Sequence, residues 1–457
     1  MKIPHLLLIP YPILGHVNPF MQFSHVLAKH GCHVTFLSTE FNLKRILNNN
    51  SFTCSSSENI NLVSLPDGLD PEDDRSDFRK LLSSIKSTMP ALLPNLIQDI
   101  NKIDCIIVSI NMGWALEIGR RMGIKAALLW PSSATVLAFC DSINRLIHYG
   151  IIDSQSGNIT SAFNFLYSSL SSNNSLQILY NFTLSRLALG KTFDHLVQEM
   201  QTLKLAQWWL CNTMYELEPQ TFSISPSTFS PIGPLMLLAS DQNPNPIPNS
   251  FWEEDSTCLQ WLDQHPPQSV IYVSFGSIAV LKPKQFTELA HALHHLLDRP
   301  FLWVVRPSNN NNNVTYPQNE FEFKGSSSKG KIVGWAPQQK VLNHPSIACF
   351  VSHCGWNSTI EGLCGGVPFL CWPFFSDQWV NKMLVCDLWK VGMGFEKEDD
   401  EEVISREEIK KKVEIVVGSE EIKSRSLKMK QLVLENMRGD GGHSSRNLDN
   451  FIHWAQE

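Results

Sequence analysis

Short continuous runs of apolar residues alternate along the chain with stretches whose apolar positions recur at helical spacing. In the first half the runs are HLLLIP (5–10), HVTFLS (33–38), NLVSLP (61–66), DCIIVS (104–109) and AALLWP (126–131). Between them a helical pattern from Asn18 carries Phe20, Phe23, Val26 and Leu27, and helix-like segments lie near 89–101 and 113–122. Continuous apolar strands separated by helices predict a parallel sheet covered on both faces. Residues 133–150 and 161–215 are mostly helical in pattern, broken by Ser/Asn-rich loops such as 168–175. The turn-rich stretch Ser240–Ser250 reads as a linker. The alternation then resumes with SVIYVSFGS (269–277), FLWVVRP (301–307), IACFVSHCG (347–355) and VPFLCWP (367–373), and a helix over 283–297 has Pro283 in its first turn. The Asn run at 309–313 and the acidic run at 396–402 read as surface loops, and helices from 405 close the chain. The pattern is that of an α/β protein with two successive doubly wound units.

Composition narrows the function classes. At 457 residues the chain has room for two domains, and 43% hydrophobic with 18% charged residues is an ordinary globular balance. The net charge of −7 argues against nucleic acid as a partner. Pro4, Pro10 and Pro12 break the apolar N-terminus, which reads as a buried strand rather than a signal peptide. No apolar run is long enough to span a bilayer. The 11 cysteines are scattered without a C-x-x-C pair, as in a reduced, cytoplasmic protein. We expect a monomer with no stable membrane insertion.

Open α/β sheets bind ligands at the carboxyl ends of their strands. Gly15 and His16, Ser109, Ser277, His353, and Asp377 with Gln378 all follow apolar runs. The densest chemistry lies between Trp335 and Gln378. In SHCGWNSTIEG (352–362) a strand ends, Gly355 permits a tight turn, and a helix starts around Asn357. Free N–H groups and the dipole make such a helix start a phosphate site, with Asn357 and Ser358 as cap residues or phosphate donors and His353 beside them; a simple helix cap has the same sequence signature. Glu361, one turn on, can accept from two vicinal hydroxyls as on a ribose, although a solvated helix Glu reads alike. Trp335 offers a ring on which a base can stack, and an ordinary core Trp is its alternative. Asp377 and Gln378 suit sugar hydroxyls. Jointly these features spell a nucleotide-sugar site.

The same stretch resembles the signature box of the plant family 1 UDP-dependent glycosyltransferases over its full length: W-x-P-Q, His344–Pro345, F-x-x-H-C-G-W-N-S, E-x-x-x-x-G-V-P and D-Q. PYPILGHVNPFMQFS near the start and YVSFGS (272–277) extend the match. The resemblance implies a GT-B fold, two facing Rossmann-like domains with a cleft between them. The implied organisation is an acceptor domain over 1–240, a linker over 241–250, a UDP-sugar domain over 251–442 and a last helix, 443–457, packing back on the first domain. It also implies donor-site roles. Trp335, with the adjoining Ala336, receives uracil, and Gln338 and Glu361 hold the ribose. His353, Asn357, Ser358 and Ser277 hold the diphosphate, while Trp356, Asp377 and Gln378 line the sugar. Gln378 resembles glucose-using members more than galactose-using ones, which often carry His. The acceptor pocket is expected from 80–90, 113–114, 132–150 and 180–205, with Met112, Trp114, Ser132 and Phe375 as acceptor-binding residues. UDP-glucose is then a co-substrate, with no cofactor and no metal expected.

His16 suits the base that removes the acceptor proton, since an unperturbed imidazole titrates near ~6.5. Family members pair this His with an Asp in a run resembling V-I-A-D-x-x-M-G-W-A. This chain has IIVSINMGWA, with Ser109 at the matching position. Asp104 begins the same strand, about 16 Å away along an extended chain, and cannot substitute. Neutralising the corresponding carboxylate in the serine-protease template costs roughly 10⁴ in rate. Ser109 can still accept a hydrogen bond from the ring. Three explanations stand: an acceptor acidic enough to need little help, another group replacing the Asp, or weak activity. The leading reading is an inverting glucosyltransferase acting on a phenolic such as a flavonoid. The alternatives are a nucleotide-sugar-binding protein with weak or no catalysis, and a C-glycosyltransferase on phenolic acceptors. A dinucleotide oxidoreductase is disfavoured because GHVNPF replaces G-x-G-x-x-G after the first strand.

Overall fold

The computed structural model of the chain describes residues 2–48, 59–100, 102–155, 157, 160, 193–224, 229–240, 252–306, 329–395, 403–438 and 442–457. It divides into two compact units: Met1–Phe251 together with Asn436–Glu457, and Trp252–Glu435. Residues 168–175, 241–250, 309–313 and 396–402, read above as loops and linker, lie outside the described residues.

In the first unit, β1 (His5–Ile9), β2 (His33–Thr39), β3 (Ile60–Leu65), β4 (Cys105–Val108), β5 (Lys125–Trp130), β6 (Trp208–Cys211) and β7 (Ser230–Pro231) form one sheet in the order β3-β2-β1-β4-β5-β6-β7. Every pairing in it is parallel. From β1 the chain proceeds outward to β2 and β3, then returns to lay β4 against the other side of β1, pairing Leu6 with Cys105 and Ile9 with Val108. The direction of winding therefore reverses between β1 and β4, and crevices at the carboxyl ends of such a pair take ligands. Leu6, Leu7, Leu8 and Ile9, and Cys105 to Val108, are wholly inaccessible, which is why both strands read as unbroken apolar runs.

Several elements differ from the sequence expectation, among them the following two. The first helix runs from Leu14 to Lys29, four residues ahead of the expected start at Asn18. Ile13 is extended and its carbonyl takes the His16 and Val17 N–H groups, so the helix is under way before Pro19. Pro19 is the sixth residue of this helix, so it leaves the Gly15 carbonyl without its usual i+4 donor, and it stands inside the helix rather than marking its start. The second is β6, inside a stretch read as helical: WWLC is too short for periodicity to tell a buried strand from a helix turn.

The second unit repeats the plan. β8 (Val270–Ser274), β9 (Phe301–Val304), β10 (Gly330–Val333), β11 (Ile347–Ser352), β12 (Phe369–Cys371) and β13 (Gly392–Gly394) are ordered β10-β9-β8-β11-β12-β13, all parallel. The reversal falls between β8 and β11. A core under this sheet joins Trp303 and Phe286, 4.7 Å apart, to Phe301, Leu370 and Val413. Among the described residues no helix is long and apolar enough to cross a membrane.

The last helix, His443–Gln456, belongs to the first unit. Phe451 is fully buried among Phe23, Trp208 and Trp454, with ring centroids 5.7–6.1 Å apart. Polar contacts fix its register: the Ser444 hydroxyl donates to the Gly233 carbonyl at 2.7 Å, and the Asn447 amide to the Pro231 carbonyl at 2.9 Å. Lys125 donates to the Trp454 carbonyl at 2.6 Å. Replacing Phe451 by Ala is expected to cost about 3–5 kcal/mol, as for other large-to-small aromatic changes in cores. Urea denaturation followed by tryptophan fluorescence measures it, and a loss below 1 kcal/mol would show that the helix does not anchor the unit.

Candidate active site

The reversal point of the first sheet brings His16 and Ser109 together. Ser109 follows β4 and is wholly buried; His16 lies in the first turn of helix Leu14–Lys29, after β1. The Ser109 Oγ is 3.0 Å from His16 Nδ1, 2.7 Å from the Tyr11 N–H nitrogen and 3.1 Å from the Ile110 carbonyl. A hydroxyl has one proton and two lone pairs. The amide of Tyr11 fills one lone pair and the Ile110 carbonyl takes the proton. Satisfying the third contact then requires His16 to donate from Nδ1. That tautomer leaves Nε2 with its lone pair, the state a general base needs. The Tyr11 ring stands edge-on to the imidazole, with centroids 5.7 Å apart, and steadies its plane.

Burial pushes the His16 pKa down to about 4. No carboxylate among the described residues pulls it back. Asp104 is spent at the far end of β4, where it accepts from the His5 N–H at 3.0 Å and pairs with Lys2. The loop after Ser109 is pinned from helix Phe193–Leu203. Buried Glu199 accepts from the Gly113 N–H at 2.8 Å, and His195 donates through Nε2 to the Asn111 side chain at 2.8 Å while Lys86 donates to its Nδ1 at 3.0 Å. Asn111 takes a left-handed φ of 75° here, which Asn tolerates. Met112 is buried in the core. The Trp114 indole N–H is buried and meets no acceptor among the described residues. Ser132 follows β5, beside β4, and Ser133 caps the next helix by accepting from the Val136 N–H at 3.3 Å.

The reversal point of the second sheet holds the expected donor residues. His353 follows β11, and its ring sits where a Cβ on either Gly276 or Gly355 would come within 2.4–2.5 Å of Nε2. Both turns need glycine to admit the imidazole, and Gly276 also has φ +70°. Burial lowers the His353 pKa to about 4, helped by the nearby Arg306 charge, and its Nδ1 is buried with no partner among the described residues. Arg306, just past β9, donates to the Ser277 and Ala279 carbonyls and so shapes the loop after β8. The following helix spans Trp356–Gly365 with Gly355, not Asn357, at its N-cap. Asn357 and Ser358 are therefore first-turn residues, and no side chain caps the helix. Trp356 is buried beside Trp389, 6.4 Å between centroids, so its backbone is what it can offer a ligand.

Next to this turn the residues expected to hold the nucleoside form one network. The Tyr272 hydroxyl donates to Gln338 Oε1 at 3.1 Å, which turns Gln338 Nε2 toward the Ser358 hydroxyl at 2.8 Å and Glu361 Oε2 at 2.6 Å. Gln339 donates to the other Glu361 oxygen at 3.2 Å. Burial raises the Glu361 pKa to about 6 against the pull of these two amides. Trp335 is half-buried and stacks on Trp252, and Ala336 is buried beside it. Among the residues expected to line the sugar, Gln378 Oε1 accepts from the Phe374 and Phe375 N–H groups at 2.8 and 3.2 Å. Buried Asn381 donates to the Cys354 carbonyl at 2.9 Å and to Asp377 at 3.1 Å, linking the turn after β11 to helix Gln378–Met383. Phe375 is 37% exposed on the loop before that helix.

Sequence reasoning missed Tyr11, Tyr272, Arg306 and Asn381. Arg306 had a usable signal, since it too follows a strand. The others look like ordinary strand or helix residues.

Two parallel-sheet Rossmann-like domains match the fold of GT-B enzymes. A family profile described as UDP-glucoronosyl and UDP-glucosyl transferase matches residues 158–436. UDP-glycosyltransferase 83A1 of Arabidopsis thaliana is 37% identical, covering 99% of this chain and 97% of the relative. The 7-deoxyloganetin glucosyltransferase of Gardenia jasminoides is 30% identical, covering 98% and 97%. The crystal structure of Medicago truncatula UGT71G1 with UDP-glucose superposes with a TM-score of 0.77 at 25% identity, covering 100% and 99%. The chain belongs to the UDP-glycosyltransferases, in plant family 1.

A carboxylate whose pKa is raised to about 6 is ionised at neutral pH and protonated as pH falls through 6. If it accepts from two ribose hydroxyls, donor affinity falls on the acid side. UDP-glucose, whose diphosphate does not titrate here, is expected to bind about tenfold more weakly at pH 5 than at pH 7. Calorimetry across that range checks this, and Glu361→Gln should flatten the dependence.

Proposed function

We propose that this enzyme transfers glucose from UDP-glucose, with inversion, to the hydroxyl of a small lipophilic acceptor, a phenolic of the flavonoid type. His16 is the general base, and Ser109 is its neutral orienting partner. The observation that carries this reading is the three-way hydrogen bonding of Ser109, which leaves Nε2 of His16 as the acceptor of a proton. The acceptor O–H gives its proton to Nε2 while its oxygen attacks the anomeric carbon from the face opposite UDP. An α-linked donor gives a β-glucoside. The negative charge on departing UDP meets the N-terminus of helix Trp356–Gly365, with His353 and Arg306 close by.

The preference for an acidic hydroxyl follows from base strength. An imidazolium of pKa about 4 holds a proton weakly, and no carboxylate among the described residues stabilises it. A phenol, near pKa 10 like tyrosine, surrenders its proton far more readily than an alkyl alcohol. The buried Trp114 N–H, which lacks a partner among the described residues, would be satisfied by an acceptor oxygen. A second reading, a non-phenolic acceptor, is favoured by one observation: the Gardenia relative is named for 7-deoxyloganetin. For the donor, Gln378 supports glucose.

Two substitutions test the base assignment. His16→Ala is expected to lower kcat about 10²–10⁴-fold on every acceptor, and a variant that kept most of its turnover would rule it out. Ser109→Asp should raise the His16 pKa and move the acid limb of the pH–rate profile from about pH 4 toward neutrality. The same variant should gain more on alkyl alcohols than on phenols, and an equal gain on both would sink the acidic-acceptor reading.

A further inference from the structure

Trp335 sits on the irregular stretch between β10 and helix Gln338–Leu342, with Gly334 before it and Pro337 after it. Neither neighbour can hold an indole in place. The segment that opens the second unit does so. The Trp252 ring lies 4.8 Å from the Trp335 ring at an interplanar angle of 23°. Three residues on, the Asp255 N–H donates to the Trp335 carbonyl at 2.9 Å. The strap is itself anchored. The Asp255 carboxylate takes the Thr257 N–H and hydroxyl at 2.9 and 2.5 Å, opening helix Thr257–Leu262, whose Cys258, Trp261 and Leu262 are buried. Lys331, on β10, donates to the Thr257 hydroxyl at 2.7 Å. Trp335 is thus closed into a ring of contacts running from β10 through Lys331, Thr257 and Asp255 back to its own carbonyl, with Trp252 covering one face.

We propose that Trp252 is a positioning residue for the nucleobase of the donor, a back wall that fixes Trp335 so that only its other face receives the base. This rests on the reading of Trp335 as the base platform. An indole held on one side has already lost the rotamer freedom that binding would otherwise remove, so the effect falls on donor affinity. A base arriving on the open face forms the third layer of an offset stack. Trp252 touches neither the sugar nor the diphosphate in this arrangement, so turnover at saturating donor is untouched.

The test uses the full-length enzyme with Trp252→Leu, Trp252→Phe and Trp335→Leu, and reads UDP and pyrophosphate dissociation constants by calorimetry beside steady-state kinetics. Trp252→Leu should weaken UDP, and raise KM for UDP-glucose, by roughly three- to tenfold, the range of aromatic-pair energies. Pyrophosphate affinity, kcat and acceptor KM should be unchanged, and Trp252→Phe should retain most of the affinity. The far-ultraviolet exciton couplet of a stacked tryptophan pair should vanish in both leucine variants. Unchanged UDP affinity in Trp252→Leu, or an equal loss for pyrophosphate, overturns the proposal. If Trp335→Leu also leaves UDP binding intact, the base-platform reading fails with it. If Trp335→Leu weakens UDP while Trp252→Leu does not, the role of Trp252 alone fails.

Discussion

One buried hydroxyl ties together the carboxyl ends of β1 and β4 in the first unit. Ser109 sits where β4 ends beside β1, and its oxygen joins the Tyr11 amide, the Ile110 carbonyl and the His16 ring. Because the hydroxyl has a single proton, the three contacts can be satisfied only with His16 protonated at Nδ1. An aspartate there would orient the ring in the same way and also hold the imidazolium charge. Serine supplies the orientation without the charge. The ring is then aimed but electrostatically unsupported, and burial leaves its pKa at about 4. Orientation and basicity are usually delivered by one carboxylate. Here the serine gives orientation alone, and under the proposed function the acceptor's own acidity supplies the rest.

The second unit uses the same sheet topology for a different task. Its reversal point holds an imidazole wedged between two glycine turns, a helix start with no side-chain cap, and an arginine that folds the neighbouring loop around its guanidinium. The dipole at a helix N-terminus favours an anion there. The side chains proposed to hold the nucleoside are tied together beside it: Tyr272 fixes the amide of Gln338, and Gln338 with Gln339 fixes both oxygens of Glu361. Asn381 carries the order on to Asp377. A donor meeting such a site loses little to side-chain reorganisation.

Much of this was legible in the sequence, for identifiable reasons. Strands buried on both faces must be apolar throughout, so β1, β4, β8 and β11 stand out, and the rule that ligands bind at strand ends points to His16, Ser109, Ser277 and His353. Other features were not legible. β6 is four apolar residues, a length at which strand and helix look alike. The helix start at Leu14 was hidden by Pro19, a residue that usually marks a helix start or break and here lies inside the helix. Tyr272 reads as a strand residue and Asn381 as a helix residue. Their importance comes from partners 66 and 27 positions away, which no local pattern encodes. Trp252 follows a turn-rich stretch and gains its meaning only from the ring it stacks on.

The central claim is that His16 is a neutral base held as the Nδ1–H tautomer by a serine. Nitrogen-15 NMR of the imidazole in the full-length enzyme, titrated from pH 4 to 8, tests it directly. The account predicts a proton on Nδ1, an unprotonated Nε2 at neutral pH and a midpoint near 4. A proton on Nε2, or a midpoint at or above the ordinary value of about 6.5, would contradict it.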